Sequence, residues 1–168
     1  MSNKKLLFFS LFKIESIDDQ GIYPDLLGQF SLNNFDIYIL SPSERGDKIT
    51  KRIIKKDNVT IIQVKSLKTQ KTNKVEKLLS SLSLEFLFLR SYRKELNNIE
   101  FDVVLFPTPT IFVNNFLNKI KLSKDGFKYL LLKDIFPQNA IDLNLMKPNS
   151  FVTRFFKKIE NKLYDNVD

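Results

Sequence analysis

Short apolar runs alternate along this chain with longer stretches of helical periodicity. Leu6 to Ser10, Asp36 to Leu40, Val59 to Val64, Phe101 to Phe106 and Phe127 to Leu132 have strand length and carry mostly apolar side chains. Runs of that kind suit strands buried on both faces of a sheet. Between them, apolar positions recur every three or four residues. Leu26, Leu27 and Phe30 form one stripe, behind Pro24, which suits the first helical position, and Asp25, which suits the positive end of a helix dipole. Asn33-Asn34 ends that helix. Val75, Leu78, Leu79, Leu82, Phe86 and Leu89 form a second stripe. That helix starts at Asn73, with Glu76 at capping-box spacing and Arg90, Arg93 and Lys94 at its far end. A third helix is predicted from about Ile111 to Ile120, with Phe112, Phe116 and Ile120 stacked. A fourth is predicted over Phe151 to Tyr164, with Phe151, Phe155, Ile159 and Leu163 on one face. Ser41-Pro42-Ser43 opens a loop by its punctuation, and Lys48 to Lys56 is basic without a clear period. Strands alternating with helices predict one α/β domain over 1–168. It is a Rossmann-like, doubly wound parallel sheet with helices on both faces.

The stretch from Lys128 to Asn139 organises this pattern. A strand-like run turns abruptly to Lys133, Asp134, Pro137, Gln138 and Asn139. Pro137 gives no N–H to a ladder and biases Phe136 away from helical geometry. In open α/β sheets, ligands sit outside the carboxyl ends of the strands. Asp134, Gln138 and Asn139 are therefore placed where side chains meet a ligand. The alternative is a structural loop with Asp134 as a cap.

Charge narrows the partners. The chain has 168 residues and a formal charge of +8, which favours an anionic membrane surface, a phosphorylated ligand or nucleic acid. Cysteine and histidine are both absent, which excludes disulfides, thiolate chemistry, His–Cys zinc sites and a Ser-His-Asp triad within the chain. A catalytic base would be a carboxylate, lysine or tyrosine. Lys4-Lys5 followed by Leu6 to Phe12 imitates a signal peptide. The run is short and lacks a small-residue cleavage site, so it reads as a first strand. No segment approaches the roughly 20 apolar residues of a membrane span.

Neither GxGxxG nor GxxxxGK[ST] is present, and only four glycines are available to form such loops. Lys133 with Asp18-Asp19 superficially suggests a phospho-receiver domain. The third strand, however, ends in Lys65-Ser66-Leu67-Lys68, not in an acceptor carboxylate. Most of the sixteen phenylalanines fall at core spacing, and no nucleic-acid motif accompanies them. The last helix, aromatic and basic, suits either a core or an anionic membrane surface.

Several stretches then match one family together. They are Gly21 to Leu27, Leu40-Ser41-Pro42, Val64-Lys65, Lys71-Thr72-Asn73 with Glu76-Lys77, and Phe101 to Leu105 leading into Thr108-Pro109. Leu131 to Leu143 is the strongest, followed by Phe156, Glu160, Leu163-Tyr164 and Asp168. The chain resembles the amino-terminal half of bacterial GT-B glycosyltransferases of family 4, near the L-fucosamine transferase-like enzymes of O-antigen and capsule clusters. It departs at Thr110, where the family tends to have a second proline.

The resemblance implies an acceptor-side domain whose carboxyl-end loops face an interdomain cleft. A second domain, absent from these 168 residues, would carry the nucleotide-sugar site. The implied acceptor is a polyprenyl-diphosphate-linked saccharide at the cytoplasmic face of the cell membrane, bound peripherally. No metal or other cofactor is implied, and no nucleic acid. Asp134 is expected nearest the transferred sugar, as the catalytic residue. Tyr23, Asp25, Arg45, Thr108, Lys133, Gln138 and Asn139 are expected to bind substrate, with Lys133 and Arg45 on phosphate. The competing class is a non-enzymatic basic binding module for an anionic membrane or nucleic acid.

Overall fold

The first apolar run, Lys4–Phe9 (β1), lies at the centre of a six-stranded sheet. Leu6, Leu7, Phe8 and Phe9 are each fully buried, Leu7 and Phe9 on one face of the sheet and Leu6 and Phe8 on the other. Each contributes roughly 2 kcal/mol of burial. The other elements in chain order are α1 (Ile22–Leu32), β2 (Phe35–Ser43), β3 (Ile53–Lys56), β4 (Val59–Lys65) and α2 (Lys74–Glu95). They are followed by β5 (Phe101–Pro107), α3 (Asn114–Leu117), β6 (Leu122–Leu131), α4 (Gln138–Asp142) and α5 (Phe151–Tyr164). The computed structural model describes residues 3–43, 53–65, 74–108 and 112–168, and of residues 74–82 the backbone only.

Strand order is β3-β4-β2-β1-β5-β6. All five predicted strands are present and run parallel to their neighbours among them. From β1 the chain steps outward to β2 and β4, then crosses back to β5 and β6. The order therefore reverses between β1 and β5. One face is covered by α2, α3 and α5, the other by α1 and the loop through Ile14 and Ile17. The fold is the doubly wound α/β sheet that the pattern predicts.

Several details depart from the sequence reading. β3, within the basic stretch, is an antiparallel edge strand hairpinned to β4 through Asp57-Asn58, with Asp57 at φ 49. β2 continues through Pro42, predicted as loop, and pairs Ser41, Pro42 and Ser43 with Gln63, Val64 and Lys65. β1 pairs no further than Leu40, so Pro42 lies where only β4 borders the strand and a missing N–H is tolerated. Pro24 is the third residue of α1 rather than the first. It still lies in the first turn, where amides have no intrahelical partner.

In α2, Leu84, Phe88 and Tyr92 face the core, and Phe86 is 63 % exposed. The buried stripe is shifted from the predicted one, because the near-continuous run from Leu82 offers two competing faces. Glu85 finds a use on that helix. Its carboxylate accepts the amides of Asn115 and Phe116 at 2.6 and 3.1 Å and caps α3. The predicted Asn73–Glu76 capping pair lies outside the described side chains. α3 is a single turn, far shorter than the helix predicted from Ile111 to Ile120.

β6 starts earlier than predicted and forms the sheet's other edge, alternating half-buried with exposed positions instead of lying buried. Its register shifts beside Phe101, where Gly126 packs so closely that a Cβ would come 2.5 Å from the Phe101 carbonyl oxygen. α5 has the predicted bounds and a Ser150 cap whose hydroxyl accepts the Thr153 amide. Its buried face, however, is Thr153, Glu160 and Leu163, and Phe151 and Phe155 face solvent.

Candidate functional site

The crevice where strand order reverses is bordered by the segments leaving β1 and β5. That is where an open α/β sheet takes its ligand. Leaving β1, the chain is fixed by two fully buried serines. The Ser10 hydroxyl bonds Phe12 O at 2.8 Å, and Ser41 Oγ accepts the Ile14 amide at 2.6 Å. This holds Phe12 in place, 52 % exposed, with its ring stacked over Tyr23 at 6.2 Å. Tyr23 packs in turn on Phe8, at 5.5 Å between centroids. The sequence reading missed Phe12 and both serines. Their only signal was a polar residue ending an apolar strand.

Leaving β5, Thr108 is 3 % exposed. Its Oγ1 accepts the amides of Lys133 and Asp134, each at 2.8 Å, and its own amide donates to Leu131 O at 3.0 Å. Thr108 thus pins the segment leaving β6. It holds the backbone of two other candidate residues, a positioning role rather than the expected contact with substrate.

Burial raises the Tyr23 phenol above its ordinary pKa, and the negative charge of Asp134 raises it further. The Tyr23 hydroxyl is buried with no hydrogen-bond partner among the described residues, and so is Asn139 Oδ1. Unpaired buried polar atoms are costly, and they mark positions where a ligand can supply the missing bond. Lys133 and Asp134 are both exposed. The crevice therefore offers a carboxylate, a phenol and a nearby ammonium, a set able to bind hydroxyls and phosphate.

The remaining candidates lie apart from this group or are engaged locally. Gln138 Nε2 donates to Asp142 Oδ1 at 2.8 Å along α4. Asp25 is exposed on α1 and lines a different groove of about 500 Å³, walled by Gly28, Ile54 and Lys56 and holding none of Tyr23, Thr108 or Asp134. Arg45 lies outside the described residues. Among the described residues no cluster of three metal-ligating side chains occurs. Among them, too, no helix is long and apolar enough to cross a membrane.

No protein-family model matches the chain, and no curated protein matches it. Among solved structures, it is similar to sucrose-phosphate synthase from Thermosynechococcus elongatus, with a TM-score of 0.53 at 7 % identity. The match covers 82 % of this chain and 35 % of that one. The likeness is one of fold: this chain has a GT-B-like, Rossmann-type α/β fold.

Proposed function

We propose that this chain is the acceptor-side half of a family 4, L-fucosamine transferase-like glycosyltransferase. It transfers a sugar from a nucleotide-sugar donor to a hydroxyl of a polyprenyl-diphosphate-linked saccharide, in surface polysaccharide assembly. It works from the cytoplasm, peripherally on the inner face of the cell membrane. The donor is held chiefly by a second domain across the crevice.

The observation that carries this reading is the Lys133-Asp134 segment, pinned through both amides to Thr108 at the end of β5, beside the point where strand order reverses. Asp134 hydrogen-bonds or polarises the acceptor hydroxyl, a role for which the chain has no histidine. Tyr23 and Asn139 give their unpaired polar atoms to sugar hydroxyls. Lys133 meets the diphosphate, and Thr108 acts through the backbone of Lys133 and Asp134. The GT-B-like fold supports a glycosyltransferase-like architecture.

The test is Asp134→Ala in a protein joining this chain to its donor-binding half. Turnover is expected to fall by about 100-fold or more with folding intact. Unchanged turnover would remove Asp134 from the chemistry.

A further inference from the structure

Among the described residues, several large hydrophobic side chains are exposed at and just before the start of α5. Leu143, Leu145, Phe151, Val152 and Phe155 are all exposed, Phe151 by 83 % and Leu143 by 69 %. Phe151 and Phe155, one helical turn apart, form an exposed aromatic pair of the kind that marks an interaction surface. With about 3.6 residues per turn, Phe151, Phe155, Lys158 and Lys162 line the side of α5 opposite buried Thr153, Glu160 and Leu163. Hydrogen bonds fix the start of the helix. Ser150 accepts the Thr153 amide, and Thr153 Oγ1 donates to Lys147 O at 2.7 Å. The ridge adjoins the candidate site, since Phe155 contacts Phe156 at 5.6 Å and Phe156 contacts Phe136 at 5.0 Å, two residues from Asp134.

Charge decides what such a ridge can meet. Lys147, Arg154, Lys157 and Lys158 border it, all exposed. Between Ser150 and Lys162 the one carboxylate is Glu160, which is 8 % exposed and turned inward to accept the Tyr164 hydroxyl at 2.7 Å. The solvent side of α5 is therefore aromatic and cationic, with no opposing charge. We infer that this ridge docks on an anionic lipid bilayer. Phe151 and Phe155 enter the boundary between headgroups and acyl chains, and Lys158 and Lys162 face lipid phosphates. The docking deepens the peripheral membrane placement proposed above and assigns it to a named surface.

The test is sedimentation of the 168-residue chain with vesicles of equal parts phosphatidylglycerol and phosphatidylcholine, and with phosphatidylcholine alone. Binding is expected to the anionic vesicles and to weaken as salt rises. Phe151→Ser with Phe155→Ser, both exposed positions that leave folding intact, lowers the partition by about tenfold or more. Lys158→Glu with Lys162→Glu lowers it too and flattens the salt dependence. Absence of binding to anionic vesicles, or equal binding by the phenylalanine variant, overturns the inference. Concentration-dependent dimerisation lost in that variant would assign the ridge to a second copy and equally overturn it. No sugar donor enters this assay, so failure of the transferase reading leaves its outcome unchanged.

Discussion

Thr108→Val isolates the bolt between β5 and the segment carrying Asp134. Valine keeps the shape of threonine and suits a strand end, so the change removes an acceptor and little volume. Two amides, Lys133 and Asp134, lose bonds of 2.8 Å each. Each such bond is worth about 1 kcal/mol net, and a donor left dry costs about 1–3 kcal/mol. Both amides lie in a partly buried segment whose side chains reach solvent, so water restores part of the loss. The expected cost is about 2 kcal/mol, equivalent to a fall of about 4–8 °C in Tm for a domain of this size. Thermal unfolding by circular dichroism measures it, and amide hydrogen exchange at Lys133 and Asp134 localises it. Thr108→Ser keeps the hydroxyl and should retain the protection of both amides. An unchanged Tm in Thr108→Val, with both amides still protected, would refute the positioning role.

Two glycines should respond in opposite directions. Gly126→Ala forces a Cβ against backbone, 2.5 Å from Phe101 O and 3.0 Å from Ser123 N. It should destabilise by about 2 kcal/mol or more in urea unfolding, the range of overpacking. Gly28→Ala meets nothing within 4 Å inside α1 and should stabilise by about 0.5–1 kcal/mol. Asp102 should make stability acid-sensitive. The Lys5 amide at 2.7 Å, and then the Ser123 hydroxyl at 2.7 Å, hold its carboxyl below the usual range. A carboxyl depressed in the folded state stabilises fully above its unfolded pKa of about 3.9, and that share is lost as pH falls through the lower folded value. The Tm difference between wild type and Asp102→Asn should therefore be largest near neutral pH and shrink below about pH 4. A difference independent of pH would place the Asp102 contribution elsewhere.

The central strands were legible because β1 buries both of its faces, and such a run leaves no period to misread. The edges were harder. β3 has only four residues, two of them lysines, and its signal is Asp57-Asn58 set between Ile53-Ile54 and Ile61-Ile62. That two-residue spacing is a hairpin signature that the surrounding basic charge obscured. α5 was legible in its bounds but not in its facing. Phe151 and Phe155 compete with Phe156, Ile159 and Leu163 for the core side, and only packing resolves which stripe turns inward. The candidate segment from Lys133 to Asn139 stands out by its break in pattern. Its supports do not, because the bonds from Lys133 and Asp134 to Thr108 span 25 and 26 residues. No local spacing encodes a bond of that reach.

The most direct measurement is an amide and side-chain NMR titration of the 168-residue chain with a short-chain polyprenyl-diphosphate N-acetylhexosamine. Shifts concentrated at Phe12, Tyr23, Lys133, Asp134 and Asn139, and abolished by Asp134→Ala, are the result the account predicts. Saturable shifts confined to the groove beside Gly28 and Lys56, or none at the crevice between β1 and β5, would contradict it.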